Sequence, residues 1–149
     1  MSQALKRILF VCIGNSCRSQ MAEAFARVYG SDVIAPASAG LAPARIIAPD
    51  TLKAMDEKGI EMRAHFPKSL EHLSRAEFDL VINMSGETLP ENLKCPAREW
   101  PVQDPVRMKY IAHCAVRDEI ERLVMGLILE LRREQAKPEL RSLRSGPAI

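Results

Sequence analysis

A cysteine, five intervening residues, an arginine and a serine form the stretch Cys12-Ile13-Gly14-Asn15-Ser16-Cys17-Arg18-Ser19, placed where an apolar run gives way to helical spacing. Those residue types suit the binding of a tetrahedral oxyanion and nucleophilic attack upon it. A loop entering a helix N-terminus points several backbone N–H groups into one concavity and adds the positive end of the helix dipole. Gly14 and Asn15 tolerate the left-handed backbone that a tight cradle requires. Arg18 can offer a planar fork to two oxygens of an anion, which lysine cannot do. The same amides, dipole and guanidinium would favour the thiolate of Cys12, the form in which cysteine is a nucleophile. Residues 13–19 are therefore the expected phosphate-binding loop, with phosphate or sulfate its expected occupant. The plainer alternative is that Cys12 and Cys17 are small apolar groups at a strand end.

The elements on either side must hold that loop. Ile8-Leu9-Phe10-Val11 reads as a buried parallel strand, and Met21, Ala24, Phe25 and Val28 follow at helical spacing until Gly30. Residues 32–37 read as a second strand closing at Ser38-Ala39-Gly40. A helix is expected from about Pro49-Asp50 to Lys58-Gly59. Residues 78–84 make the third strand, and 99–102 a weaker edge strand in which Pro101 is tolerated. One amphipathic helix is expected from about Arg107 to Arg133, with Ile120, Val124, Leu127, Ile128 and Leu131 on its inner face. This alternation predicts an α/β domain with a four-stranded parallel sheet and helices on both faces. In such sheets ligands bind beyond the carboxyl ends of the strands, which is where the Cys12 loop falls.

Composition bounds the rest. The chain has 149 residues, 47% of them hydrophobic, enough for one domain with a substantial core. A formal charge of +2 and 5% aromatic content argue against nucleic acid as a partner. No apolar run is long enough to cross a bilayer, so no membrane association is expected. The first residues lack a signal-peptide pattern, which makes the cytoplasm the expected location and reduced thiols the expected state of Cys12, Cys17, Cys95 and Cys114. No Cys-x-x-Cys pair is present, so no metal site is expected. His72 and His113 read as surface residues, and Cys114 as core or boundary packing. The core domain spans about residues 6–133, and the basic segment 134–149 reads as a solvated, frayed end.

The segment Val11 to Ser19 resembles the phosphate loop of the low-molecular-weight protein tyrosine phosphatases and of the arsenate reductases that share their Rossmann-like fold. Ser38-Ala39-Gly40, Asp104-Pro105 and Arg117-Asp118-Glu119-Ile120 resemble further motifs of that family. The resemblance implies that Cys12 attacks phosphorus, that Arg18 and the loop amides hold the equatorial oxygens, and that Asp104 serves as acid and then base, with no cofactor. It implies that Asn15, Ser38 and His65 form a hydrogen-bonded set pinning the loop, and that Ser19 stabilises the Cys12 thiolate. It also implies that Cys17 can capture an oxidised Cys12 as a disulfide.

Phosphate monoester hydrolysis, of a phosphorylated protein or a small ester, is the first reading of activity. Arsenate reduction with an external thiol is the alternative, and a non-catalytic oxyanion-binding module is a remote third. Reductases of this type carry a resolving cysteine after the third strand, where this chain reads Met84-Ser85-Gly86-Glu87, and Cys95 lies ten positions beyond Ser85. The run Ser19-Gln20-Met21-Ala22-Glu23 resembles the reductase branch. Phosphotyrosine-directed members line the cleft with rings, whereas residues 41–47 and 106–108 contain none; Arg45 and Arg107 would suit an anionic substrate.

Overall fold

The computed structural model describes residues 5–73 and 77–144, with side chains through residue 137. Four strands, β1 (Lys6–Cys12), β2 (Ile34–Gly40), β3 (Leu80–Asn83) and β4 (Ala97–Glu99), form one sheet in the order β2-β1-β3-β4, every pairing parallel. The chain leaves β1 for one neighbour and later returns to its other side. The carboxyl ends of β1 and β3 therefore flank the point where the winding reverses, the position at which such sheets bind ligands.

Alternation along β1 divides the core. Ile8 and Phe10 face one side, where they meet α1 (Arg18–Tyr29), α2 (Pro49–Asp56) and α3 (Tyr110–Arg144). Ile120, Val124, Leu127, Ile128 and Leu131 all lie buried in that cluster. Leu9 and Val11 face the other side with Ala39 and Val81, covered by loop residues and the single-turn 3-10 helix Glu71–Leu73. The helices are thus unevenly shared, three on one face and one short turn on the other among the described residues.

Several boundaries differ from the sequence expectation, each for a local reason. The edge strand lies at 97–99 rather than 99–102, since Pro101 has no N–H for the ladder and Val102 N–H turns back to Trp100 O at 2.9 Å. The third strand is shorter than 78–84, although Asp79 and Met84 N–H still reach β1 carbonyls at 2.8 and 2.7 Å. The last helix starts at Tyr110 because Arg107, at φ 68°, cannot be helical, and it continues to Arg144 past the expected end at Arg133. The backbone of 134–144 is therefore helical rather than frayed; residues 145–149 lie outside the described residues. Val28 is exposed instead of buried, and the longer Tyr29 reaches the core by stacking on Phe25 at 5.8 Å. The end of α2 follows expectation in kind. Gly59, at φ 72°, lets Ile60 N–H reach Met55 O at 3.1 Å and its own N–H reach Asp56 O at 2.9 Å, a paired closure that only a left-handed residue permits.

Candidate active site

Cys12 ends β1, and α1 begins at Arg18 with no side chain capping its first turn. The orphan N–H groups of that turn are left facing the loop. The loop itself is turned by its neighbours. Amides of the segment after β2 take four of its carbonyls: Leu41 N–H to Cys12 O at 3.1 Å, Ala42 to Ile13 at 2.8 Å, Ala44 to Gly14 at 2.9 Å and Ala48 to Ser16 at 3.1 Å. In a trans peptide the N–H points opposite to its carbonyl. The N–H groups of Ile13, Gly14, Asn15 and Cys17 are consequently directed away from that segment, toward the inside of the cradle. Asn15 occupies the left-handed region at φ 49°.

The end of β2 presses against the outside of the same loop. A Cβ on Gly40 would lie 2.6 Å from Ile13 O and 2.9 Å from Asn15 N, so glycine is required there by contact rather than by φ. This is the physical content of Ser38-Ala39-Gly40.

Arg18 is 5% exposed, and its Nη1 donates to Met84 O at the end of β3 and to Val102 O at 3.0 Å. Nη2 faces Asp104 Oδ2 at 3.4 Å. The guanidinium is thereby locked in orientation by carbonyls from two other segments. The Asp104 side chain is 40% exposed, and its other oxygen accepts the Val106 N–H at 3.1 Å. Asp104 and Arg18 thus meet, and Arg18 shares the loop with Cys12.

Cys12 Sγ lies 2.8 Å from Ser19 Oγ, which also receives Asn15 Nδ2 at 2.8 Å. Asn15 Oδ1 accepts from Gln20 Nε2 at 2.9 Å and from the Lys68 backbone N–H at 3.0 Å. Gln20 Oε1 in turn meets His65 Nδ1 at 2.9 Å. Asn15, Ser19 and His65 are therefore joined, with Gln20 as the link between Asn15 and His65. Ser38 is not part of that chain: its hydroxyl donates to Glu23 Oε1 at 2.7 Å, because the buried carboxylate is the stronger acceptor at that end of β2. Glu23 also pairs with Arg27 at 3.0 Å and lies 3.6 Å from His65 and 3.8 Å from Lys68. Burial lowers the pKa of both His65 and Lys68, opposed in each case by the Glu23 charge.

Gln20, Glu23 and Lys68 were not singled out as site residues from the sequence. For Gln20 and Glu23 the available signal was two polar residues on the first turns of α1, one before and one after Met21-Ala22; Lys68 carried none. His113 departs outright from its surface reading. It is 3% exposed, with Nδ1 4.0 Å from Cys17 Sγ and Nε2 3.7 Å from Asp50. It lies seven residues before Ile120, on the inner face of α3. Burial pushes the Cys17 thiol up to about 12, so at neutral pH it is a neutral thiol.

The other thiols stand apart. Cys95 belongs to the cluster on the opposite face of the sheet, lining a cavity of about 820 Å³ with Leu9, Leu70 and Phe78. Ser85, at the turn after β3, has its hydroxyl bound to Asn83 Oδ1 at 2.6 Å. Arg45 and Arg107 are exposed. Among the described residues no group of three or more His, Cys, Asp or Glu is arranged to hold a metal, and no helix is long and apolar enough to cross a membrane.

Residues 7–137 match the model of the family described as low molecular weight phosphotyrosine protein phosphatase. The chain belongs to that family. Within it, the chain is similar to the glutaredoxin arsenate reductase of Synechocystis sp., 32% identical over 131 residues that cover 85% of this chain and 99% of that one. An arsenate reductase of Bacillus subtilis is 35% identical over 128 residues, covering 77% and 89%. Among solved structures, an arsenate reductase in its phosphate-binding state superposes with a TM-score of 0.78 at 32% identity, covering 85% of this chain and 99% of the other. The YwlE arginine phosphatase of Geobacillus stearothermophilus gives a TM-score of 0.75 at 30% identity, covering 89% and 96%. The chain is a cysteine-dependent, oxyanion-processing enzyme of this phosphatase and arsenate reductase superfamily.

Proposed function

We propose that the enzyme reduces arsenate, with Cys12 as the nucleophile and thiols from outside the chain as the source of electrons. The observation that carries this reading is the cradle mouth, whose bordering segments 41–47 and 106–108 contain no ring to stack on an aryl ester, which suits a bare tetrahedral anion better than an aryl phosphate. The likeness to arsenate reductases from several bacteria supports the same choice.

In the first step the loop amides and Arg18 hold three arsenate oxygens while the Cys12 thiolate attacks arsenic. Asp104 protonates the departing arsenate hydroxyl, which leaves as water. An external thiol then attacks the Cys12 sulfur. The S–As pair goes to arsenic, arsenite departs, and Cys12 is left in a mixed disulfide. A second external thiol releases it, so two thiols are oxidised for each As(V) reduced to As(III).

The described thiols support an external source. Cys17 is a buried neutral thiol, Cys95 lines a cavity on the other face, Cys114 lies on α3 against Glu57, and position 85 is serine. Hydrolysis of a phosphate monoester is the second reading. It is favoured by Asp104, which is partly open to solvent beside Arg18 and could activate a water against a cysteinyl-phosphate. The deciding experiment measures arsenite release with glutathione or glutaredoxin beside phosphate release from aryl phosphate and phosphoarginine, each for the wild type and Cys12→Ser. Arsenite release that needs Cys12 supports the proposal; phosphate release alone overturns it in favour of hydrolysis.

A further inference from the structure

The hydrogen bonds behind Cys12 have a direction, and two backbone groups set it. The Lys68 N–H can only donate, and it meets Asn15 Oδ1 at 3.0 Å. The Phe66 carbonyl can only accept, and it meets Gln20 Nε2 at 3.0 Å. These fix both side-chain amides. Gln20 presents its nitrogen to Asn15 Oδ1 at 2.9 Å and its oxygen to His65 Nδ1, which must then carry a hydrogen. Asn15 spends its oxygen on Lys68 and Gln20, so its nitrogen is the atom facing Ser19 Oγ at 2.8 Å.

Ser19 has no access to water, being 0% exposed. It receives the Asn15 N–H, and its single proton has one remaining partner among the described residues, Cys12 Sγ at 2.8 Å. Reversing the chain would set the Asn15 nitrogen against the Lys68 N–H and the Gln20 oxygen against the Phe66 carbonyl. A buried unmatched pair of this kind is expensive, so the forward direction is strongly held.

We infer that Gln20 is a positioning residue which, held by the Phe66 carbonyl and joined by the Lys68 N–H at Asn15 Oδ1, orients Asn15 so that Ser19 donates its proton to Cys12 and favours the thiolate. The inference rests on Cys12 being the nucleophile, and it is indifferent to whether arsenic or phosphorus is attacked. Gln20 touches no substrate; it acts through Asn15 and Ser19.

The test reads the thiolate directly and requires no substrate. Alkylation of Cys12 by iodoacetamide is followed by mass spectrometry from pH 5 to 10 in the wild type, Gln20→Met, Ser19→Ala and the double variant. Gln20→Met keeps the length of the side chain and removes its polarity. A hydrogen bond to a charged acceptor corresponds to roughly tenfold or more in an equilibrium. Ser19→Ala is expected to slow alkylation at pH 6 about tenfold, and Gln20→Met about threefold to tenfold, with the alkaline plateau unchanged in both. In the Ser19→Ala background, Gln20→Met should add nothing, since its route to the sulfur is gone. Gln20→Asn, one methylene too short to span Asn15 and Phe66, should act in the same direction and serves if the methionine variant does not fold. An unchanged pH 6 rate in a folded Gln20 variant overturns the inference. So does an effect that persists fully without the Ser19 hydroxyl, or a drop in the alkaline plateau.

Discussion

Replacing Gly40 by alanine tests whether the end of β2 is what holds the cradle in shape. The added methyl would stand 2.6 Å from Ile13 O, 2.9 Å from Asn15 N and 3.0 Å from Asn15 Cβ. Comfortable contacts between such atoms lie near 3.5 Å, so the loop must yield by roughly 0.5–1 Å. The two nearest atoms in the way are backbone, and they belong to the peptides whose amides face the anion. Overpacking of this sort costs about 1–3 kcal/mol, which for a chain of this size lowers Tm by roughly 3–10 °C. A misplacement approaching 1 Å costs on the order of 10²-fold in catalysis. Gly40→Ala should thus weaken inorganic phosphate binding, measured by calorimetry, by at least about tenfold, and kcat/KM by roughly 10²-fold, while the protein remains folded at 25 °C. Gly86→Ala supplies the control. Its φ of 77° brings strain, yet no atom lies within 4 Å of the new methyl, so it should cost stability and leave phosphate affinity alone. Phosphate affinity within twofold of wild type in Gly40→Ala would refute the reasoning.

Four further outcomes are expected. Asp104→Ala should cut turnover by roughly 10²-fold or more while phosphate binding changes little, the pattern of a general acid; equal losses in both would assign Asp104 to binding alone. Burial lowers the His65 pKa from its ordinary 6.5, so below about pH 6.5 the unfolded chain binds a proton that the fold does not. The stability from this source is complete above that pH and is lost as pH falls toward the folded value; thermal melts from pH 8 to 5 should show it, and His65→Gln should flatten the slope. Iodoacetamide at pH 7 should mark Cys12 and spare Cys17, whose thiol burial pushes up to about 12, whereas mild peroxide should yield a linked Cys12 and Cys17 by peptide mapping. Cys95→Ser should leave arsenate reduction with glutathione within twofold of wild type, and a larger loss would make Cys95 the resolving thiol.

The sequence was legible wherever a residue type had one physical use. Ile8 to Val11 could only be a buried strand, the inner face of α3 followed from its spacing, and Cys12, Arg18 and Asn15 stood at positions whose chemistry can be named without coordinates. Illegible were features set by partners far along the chain. Ser38 reaches His65 only through Glu23, fifteen residues earlier on α1, and not through the Asn15–Gln20 hydrogen bonds. Gln20 shows no role in the loop until the Phe66 carbonyl and His65 are brought alongside it. His113 carries no signal of burial except its register with Ile120, and the turn at Arg107 that delays α3 depends on a positive φ at a residue type that seldom adopts one. The unequal covering of the two sheet faces was hidden for a similar reason, since loop residues such as Leu70 and Leu93 have no periodicity to reveal their burial.

The most direct test of the central claim is the covalent state of Cys12 during turnover. The enzyme is mixed with arsenate and glutathione, quenched in acid, and mapped by mass spectrometry. Attack by Cys12 followed by an external thiol predicts glutathione attached to Cys12, dependent on arsenate, with arsenite formed in step. Arsenite formed while Cys12 is joined instead to Cys95 or Cys17 would contradict the external-thiol account, and a protein that releases phosphate from esters but never acquires glutathione on Cys12 would contradict arsenate reduction itself.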